Sequence, residues 1–593
     1  MRDTSLSAIV HQPWLEYRHA LPDGQVCIRL RTGRGDWDHV LLHAADMYGE
    51  GPSMSRADQY PMEKKWRDGL HDYYEAVISR NDPRIHYIFS LTQGGITLVL
   101  DQDGLYPAES KKPEDLVCFP FPYAYPERKK PDWARGCVGY QIFPDRFLRG
   151  QQENASLEAV EPWDSTRYAN EYRFGGNLNG IREAIPYLKE LGVGVVYMTP
   201  IFQSNTSHRY NTFDYYQVDP LLGSLEDLKG LADELHTAGL RIVLDGVFNH
   251  SGTAFAPFQD AKTRGRESPY YDWFFFDENK YPCGYATFAH TPEMPKLNLK
   301  NEDAAAYFLA VGRYWLKEAH IDGWRLDVSP EVWPDFWRKF RTAVLQENPD
   351  ALLIAECWDD SRQWLTPGDM FDSTMHYVLS RAIWQFFGKG QINLSEFDDR
   401  VNRAMAMYPH AVQEVLWNFL DSHDTARFLT LADEAEYRLR AASFFQMTHP
   451  GVPIIYYGDE LGLSGGPDPD CRRPMPWHTV LGNSLLNHYQ SLTYLRQDSD
   501  ALRHGDFTTW LTADDGLYAY LRKSKTQEAL MVLNTAEKAL RRVLPLPEGF
   551  SQLETVKDEL SGQVILVTVQ TLVINLEPGQ GMVFLRELNQ DKN

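Results

Sequence analysis

The hydrophobic pattern of the first part of the chain has period two. In "QVCIRLRT", Val26, Ile28 and Leu30 alternate with polar or small neighbours, which predicts a strand with one buried face. "DYYEAVIS" reads the same way, and "IHYIFSLTQGGITLVLDQDG" predicts two strands joined in a hairpin at Gly94 and Gly95. Successive strands without helices between them predict an all-β sandwich over residues 1–121. The Pro- and Lys-rich stretch "PYAYPERKKPDW" then marks a linker.

From Val138 the pattern switches to strand, helix, strand. "CVGYQIF" is a short apolar strand, "GIREAIPYLKELG" puts Ile181, Ile185 and Leu188 on one face of a helix ending at Gly192, and "VGVVYMTP" is the next strand. The unit repeats: Ser224 and Asp227 form a capping box, Leu228, Leu231 and Leu235 make the apolar stripe, Gly239 closes the helix, and "RIVLDGVFNH" follows. Further apolar runs stand at "GWRLDV", "ALLIAE", "LWNFLDS" and "VPIIYYG", with a weaker one at "MFDSTMH". Eight strands separated by helices predict an α/β fold, a (β/α)8 TIM barrel over residues 122–504. The Gly-, Pro- and aromatic-rich segment at about 250–300, after the third strand, is too long for a plain loop and predicts an excursion domain over the barrel mouth. Strands return at "GLYAYLRK", "EALMVLN" and "QGMVFLRE", predicting a C-terminal β-sandwich over 505–593.

Composition narrows the partners. A formal net charge of -23 repels phosphate backbones and anionic lipid, so neither nucleic acid nor a membrane is expected to bind. Cys27, Cys118, Cys137, Cys283, Cys357 and Cys471 form no CxxC pairs, which predicts reduced thiols and no zinc site or disulfide framework. The N-terminus carries no charged region followed by an apolar one, and a cytoplasmic protein is expected.

The chemistry lies where the apolar runs end. In "DGWRLDV", alternation would put Arg325 and Asp327 on one face and Trp324, Leu326 and Val328 on the other. Such a buried pair is either a structural ion pair or an arginine holding a carboxylate ionised for chemistry. Asp245, Asn249 and His250 end the third run, Glu356 the fifth, and His423 with Asp424 the seventh. Singly, each acid is explained as a solvated strand end or a helix cap. Jointly, Asp327, Glu356 and Asp424 would converge on the C-terminal rim of the barrel, where such folds carry their active sites. Converging carboxylates suit glycoside hydrolysis, which needs one ionised and one protonated carboxyl group. A magnesium site for phosphoryl transfer would use the same acids, but no Walker-type phosphate loop is present.

"DGVFNH", "GWRLD", "AECW" and "FLDSHDTAR" resemble the four short sequence regions of the α-amylase family of glycoside hydrolases, in order and in spacing. "MPKLN", Met294 to Asn298, resembles a fifth region in the form found in the neopullulanase, cyclomaltodextrinase and maltogenic amylase subgroup, which shares the opening β-sandwich. The resemblance covers nearly the whole chain. It implies a retaining hydrolase of α-1,4-glucosidic bonds in cyclomaltodextrins, short maltodextrins and pullulan, with transglycosylation, acting as a homodimer on α-glucan oligosaccharides. Asp327 would be the nucleophile, kept ionised by Arg325; Glu356 the general acid and then base; Asp424 the stabiliser of the transition state. The two reacting carboxyls of a retaining pair stand roughly 5 to 5.5 Å apart. Tyr210, His208, Asp245, His250 and His423 resemble residues around the sugar at the cleavage point, and Asp468 with Arg472 a pair that fixes the non-reducing end. Phe288 and Trp358 are candidates for an aromatic substrate wall. "GDELGL", "CRRPMPW" and "ALRHG" also resemble maltodextrin glucosidases, which release glucose from chain ends, and this is the alternative activity. A non-catalytic glucan-binding barrel is the alternative of another class; it would have lost a carboxylate, and all three are present.

Some positions depart from the subgroup. "RFLRGQQENAS" and Asn177 in "FGGNLNG" lack the acidic oxygens that hold a structural calcium in relatives, so no metal or cofactor is expected. Asn211 stands for an aspartate, Ala355 and Cys357 flank Glu356 in place of glycine and isoleucine, and Asp359 stands where histidine is common. The leaving-group side is therefore expected to differ.

Overall fold

The computed structural model of the chain describes residues 5–12, 16–21, 25–48, 56–80, 82, 84–121, 130–150 and 160–588. Most of the predicted linker, 122–129, and the loop segment 151–159 lie outside these residues. The chain divides into two compact units. One comprises Met1–Lys129, Thr366–Gly368 and Ser395–Gln413; the other comprises Lys130–Leu365, Asp369–Leu394 and Glu414–Asn593.

The first unit contains two antiparallel sheets. One orders the strands Arg18–Ala20, Val26–Gly33, His71–Ile78 and Glu63–Arg67; the other runs from Asp58–Pro61 through His39–Asp46, Ile85–Gln93 and Ile96–Asp101 to Gly104–Pro107. Val26, Ile28 and Leu30 enter their common core with Leu42, Tyr87 and Phe89, as period-two alternation requires. Gly94 and Gly95 turn the predicted hairpin with φ of 54° and 82°, values that favour glycine in a tight two-residue turn. Cys27, Glu75 and His410 bring ligand-type atoms together in this unit. The buried Glu75 charge is taken up there by Arg29 Nε at 2.7 Å and His410 Nε2 at 2.9 Å.

In the second unit, eight parallel strands form the barrel: β1 Gly139–Ile142, β2 Val195–Met198, β3 Arg241–Gly246, β4 Gly323–Leu326, β5 Leu352–Ala355, β6 Ser373–Thr374, β7 Trp417–Phe419 and β8 Val452–Tyr456. Their order is β6-β5-β4-β3-β2-β1-β8-β7, and a parallel bridge from Met375 to Trp417 joins β6 to β7. Val195, Tyr197, Val243, Ile354, Trp417 and Ile454 belong to one buried cluster. Ser224 and Asp227 cap helix Leu225–Thr237 reciprocally. One element differs from expectation: the helix after β1 is two pieces, Leu178–Glu183 and Ile185–Glu190, because Pro186 at the start of the second piece has no N–H to continue the first.

The excursion after β3 holds helix Ala256–Arg264, short 3-10 turns and isolated bridges such as Thr287 to Pro295. The C-terminal sheets, led by Asp506–Thr512, Leu517–Lys523, Gln527–Asn534 and Gly581–Glu587, belong to the same compact unit as the barrel. Fully buried Arg522 ties them to it by donating to the carbonyls of Thr448 and Gly505. No helix among the described residues is long and apolar enough to cross a membrane, and all six cysteines are free.

Candidate active site

Arg325 lies beside Asp245 in the β3–β4 register, so both side chains point into the barrel. Its Nη1 donates to Asp245 Oδ1 and Oδ2 at 2.9 and 3.0 Å and to Asp327 Oδ1 at 2.9 Å. Its Nη2 stands 2.9 Å from Glu356 Oε2 in an ion pair whose N–H is not aimed at the oxygen. One guanidinium, fully buried, thus serves three carboxyl groups. On the opposite face Trp324 packs against the rings of Phe202 and Phe248.

The expected alternation stops at Leu326, where β4 ends. Val328 takes a left-handed conformation, φ 44° and ψ 44°, which a β-branched residue adopts only under constraint. That turn aims the Val328 N–H at Glu356 Oε2, 2.9 Å away. Glu356 Oε1 accepts from the indole N–H of Trp358, also at 2.9 Å. The strain therefore holds the end of β4 against the residue that follows β5.

Burial first, and the neighbouring Glu356 charge second, push the Asp327 carboxyl well up, while Arg325 pulls it down. The pull of Arg325 on Asp327 is limited because its charge is divided among three acids. Burial pushes Asp245 up to about 6 against the opposing pull of Arg325 and of bonds from the hydroxyls of Tyr197 and Tyr210. Burial also lowers His208 and His250 to about 3, and His423 well below its ordinary value, so all three are neutral near pH 7. The Gln141 amide donates to His423 Nδ1, which leaves Nε2 to carry the proton, 3.0 Å from Asp424 Oδ2.

A cavity of about 820 Å³ opens over these groups. Of the sequence candidates, Asp327, Glu356, Asp424, Tyr210, His208, His250, Phe288, Trp358, Asp468 and Arg472 line it. Asp245, Arg325 and His423 do not; they are buried behind the wall, where Arg325 Nη1 donates to Asp245 and the Gln141 amide donates to His423. Phe288 stacks on His250 at 4.8 Å between ring centres, and Trp358 on Tyr377 at 4.2 Å. Arg472 pairs with Asp468 at 2.7 Å, as expected, but also with Asp424 at 3.3 Å and with Asn170 Oδ1 at 3.0 Å. Sequence reasoning missed Asn170, Gln141, Tyr377, Gln363 and Trp364. Asn170 meets Arg472 across 302 positions, and no local pattern marks such a pair. Asp359, in the place of a histidine, pairs with Arg381 at 3.1 Å. Asn211 accepts from Ser204 and Thr206 and donates to Asn205, which an aspartate would not do.

Among the described residues, Asn177 offers no free side-chain oxygen to the structural calcium that the resemblance implies. Asn177 Oδ1 accepts from the N–H groups of Gly180 and Gly150, so both lone pairs are used, and its amide N donates to Gly150 O. The remainder of the corresponding loop lies within 151–159, outside the described residues.

Comparison with known proteins agrees with this geometry. Residues 141–484 match "Alpha amylase, catalytic domain", and residues 4–125 match "Alpha amylase, N-terminal ig-like domain". Neopullulanase 2 of Thermoactinomyces vulgaris is 39% identical over 98% of this chain and 99% of that protein. A cyclomaltodextrinase of Geobacillus thermopakistaniensis (strain MAS1) is 38% identical over 96% and 97%. A solved cyclomaltodextrinase structure matches with a TM-score of 0.91 at 36% identity, covering 98% of this chain and 100% of that one. With a family match spanning the barrel and these relatives spanning nearly the whole chain, this protein belongs to the α-amylase family of glycoside hydrolases.

Proposed function

We propose that this hydrolase cleaves α-1,4-glucosidic bonds with retention in cyclomaltodextrins, short maltodextrins and pullulan, and transfers glycosyl groups to sugars as well as to water. The observation that carries this reading is the meeting of Asp327 and Glu356 on one guanidinium at the cavity floor. A shared guanidinium favours the short spacing of retaining pairs, roughly 5 to 5.5 Å, over the roughly 6.5 to 9.5 Å that admits a water in inverting ones. Glu356 gives a proton to the leaving oxygen as its bond to the anomeric carbon breaks, and Asp327 forms the glycosyl ester on the opposite face. Glu356, now ionised, takes a proton from water or from a sugar hydroxyl, whose oxygen attacks the anomeric carbon and frees Asp327. Asp424, held by Arg472, accepts hydrogen bonds from sugar hydroxyls. Neutral His250 and Tyr210 flank the same sugar, and no metal or other cofactor takes part.

The substrate class follows the printed names of the relatives and the aromatic wall formed by Phe288 and Trp358. The initial rate on β-cyclodextrin against maltoheptaose tests it. Ring opening followed by maltose and glucose is expected; an untouched ring with stepwise glucose release from the linear chain would make the protein a maltodextrin glucosidase.

In this reading the protein works as a cytoplasmic homodimer. Six free cysteines suit a reducing compartment, and the N-terminal module is the one shared with the dimeric subgroup. Light scattering at micromolar concentration is expected to give twice the 68.3 kDa chain mass. A monomer would remove the dimer from the proposal.

A further inference from the structure

In the first compact unit, period-two alternation turns Val26, Ile28 and Leu30 into the sandwich core, so Cys27 and Arg29 share the opposite face of strand Val26–Gly33. Glu75, the register partner of Arg29 on strand His71–Ile78, lies on that face too. Cys27, Arg29 and Glu75 are all buried there, and the segment Ser395–Gln413 of the same unit reaches them. From it His410 brings a ring nitrogen to Glu75 and Tyr408 a carbonyl to Arg29. One Cys27, one Glu75 and one His410 ligand-type atom lie within 4.8 Å of one another. A thiol, a carboxylate and an imidazole are the ligand set of zinc; calcium and magnesium take oxygen.

Glu75 divides its two oxygens. Oε2 accepts from Arg29 Nε at 2.7 Å, and Oε1 accepts from His410 Nε2 at 2.9 Å. Arg29 is also fixed by a bond from Nη1 to Tyr408 O at 2.8 Å and by the Trp66 ring, 4.8 Å from its Cζ. A cation entering at Oε1 therefore does not require Arg29 to move, and Arg29 then orients a ligating carboxylate from the outside. Ligand atoms around one tetrahedral zinc stand roughly 3.3 to 3.7 Å apart, so Oε1 and Nε2 need only open slightly while the sulfur closes in. The His410 side chain is 26% exposed, which gives the ion a way in.

We propose that Cys27, Glu75 and His410 hold a divalent cation of zinc type, with water as its fourth ligand, that pins the segment Ser395–Gln413 to the sandwich. Coordination replaces the Cys27 thiol proton and the His410 Nε2 proton by the metal, and both protons pass to water. The ion takes no part in glycoside cleavage. Spacing along the chain does not reveal the group, because Glu75 and His410 stand 335 positions apart.

Cobalt(II), a spectroscopic stand-in for zinc, tests this on the full chain. One equivalent should give a thiolate-to-cobalt charge-transfer band in the near ultraviolet, and added zinc should abolish it. Cys27→Ser should remove the band, and His410→Gln should weaken cobalt binding by about 10- to 100-fold or more. Cys357→Ser, which alters the cysteine in the active-site cavity, should leave the band intact. Zinc should also raise the thermal midpoint of the wild type and not that of His410→Gln. No charge-transfer band, a band that survives Cys27→Ser or vanishes in Cys357→Ser, or an equal rise in both midpoints overturns the proposal. If Cys27→Ser does not fold, His410→Gln decides, since its change lies on the solvent side of the group. Unchanged cobalt affinity in that variant overturns the proposal as well.

Discussion

Replacing Asp327 by Asn is expected to lower kcat by about 10⁴-fold or more while the protein stays folded, because an amide oxygen does not form the glycosyl ester. Burial and the Glu356 charge already make a charged Asp327 costly, so a neutral isostere relieves repulsion and keeps most of the local packing. Circular dichroism and the thermal midpoint should therefore match or exceed the wild type. Shortening the side chain further separates the roles of the two acids. In Asp327→Ala, azide should enter the vacated space and give a glycosyl azide of inverted configuration. In Glu356→Ala it should attack the intact glycosyl ester and give the retained anomer. The opposite pairing of products would exchange the two assignments, and wild-type rates in Asp327→Asn would end the catalytic reading.

The second large effect is on stability. Arg325→Met should destabilise the barrel unit by about 3–5 kcal/mol, because it leaves buried carboxylates without their cation. The sign of its pH dependence follows from Asp245 and Asp327. Both are raised in the folded state even with the guanidinium present, Asp245 to about 6. A raised carboxyl binds its proton more tightly when folded, so its contribution is favourable at low pH and is lost as pH rises through the folded value. Without Arg325 both rise further, and the loss of stability in Arg325→Met should deepen between pH 5 and pH 8. Adding Asp245→Asn removes one stranded charge and should restore part of it, a coupling measurable in a double-mutant cycle. Equal denaturation midpoints for wild type and Arg325→Met at pH 8 would show that the guanidinium is not the support described here.

Retention of all activity in either variant is excluded by the same contacts. Asp327 and Glu356 take their orientation from Arg325, and Glu356 also from a strained Val328. Substitutions at Val328 therefore bear on the acid and not only on packing. Glycine there would lower the backbone strain but also loosen the N–H that now meets Glu356 Oε2.

The sequence alone determined the period of each element and hence the fold class. Alternating Val26, Ile28 and Leu30 can bury one face only in a sheet, and the repeated strand, stripe, glycine and strand pattern after Val138 closes most simply as a barrel. It also located the acids, because a polar side chain that ends a buried strand has few places to go but the rim. β6 was faint because it has only two residues, Ser373 and Thr374, and its place in the barrel depends on the Met375–Trp417 bridge. The break at Ala184 was legible in Pro186 and was overridden by an unbroken apolar stripe. Tertiary structure decided what the acids share. That Asp245, Asp327 and Glu356 divide one guanidinium, that Arg472 reaches Asn170, and that Trp358 covers an oxygen of Glu356 all depend on distances between segments far apart in the chain. Periodicity reports which face a residue takes, since each side chain must choose water or core. Which partner it meets there is set by long-range packing and by the burial that packing creates.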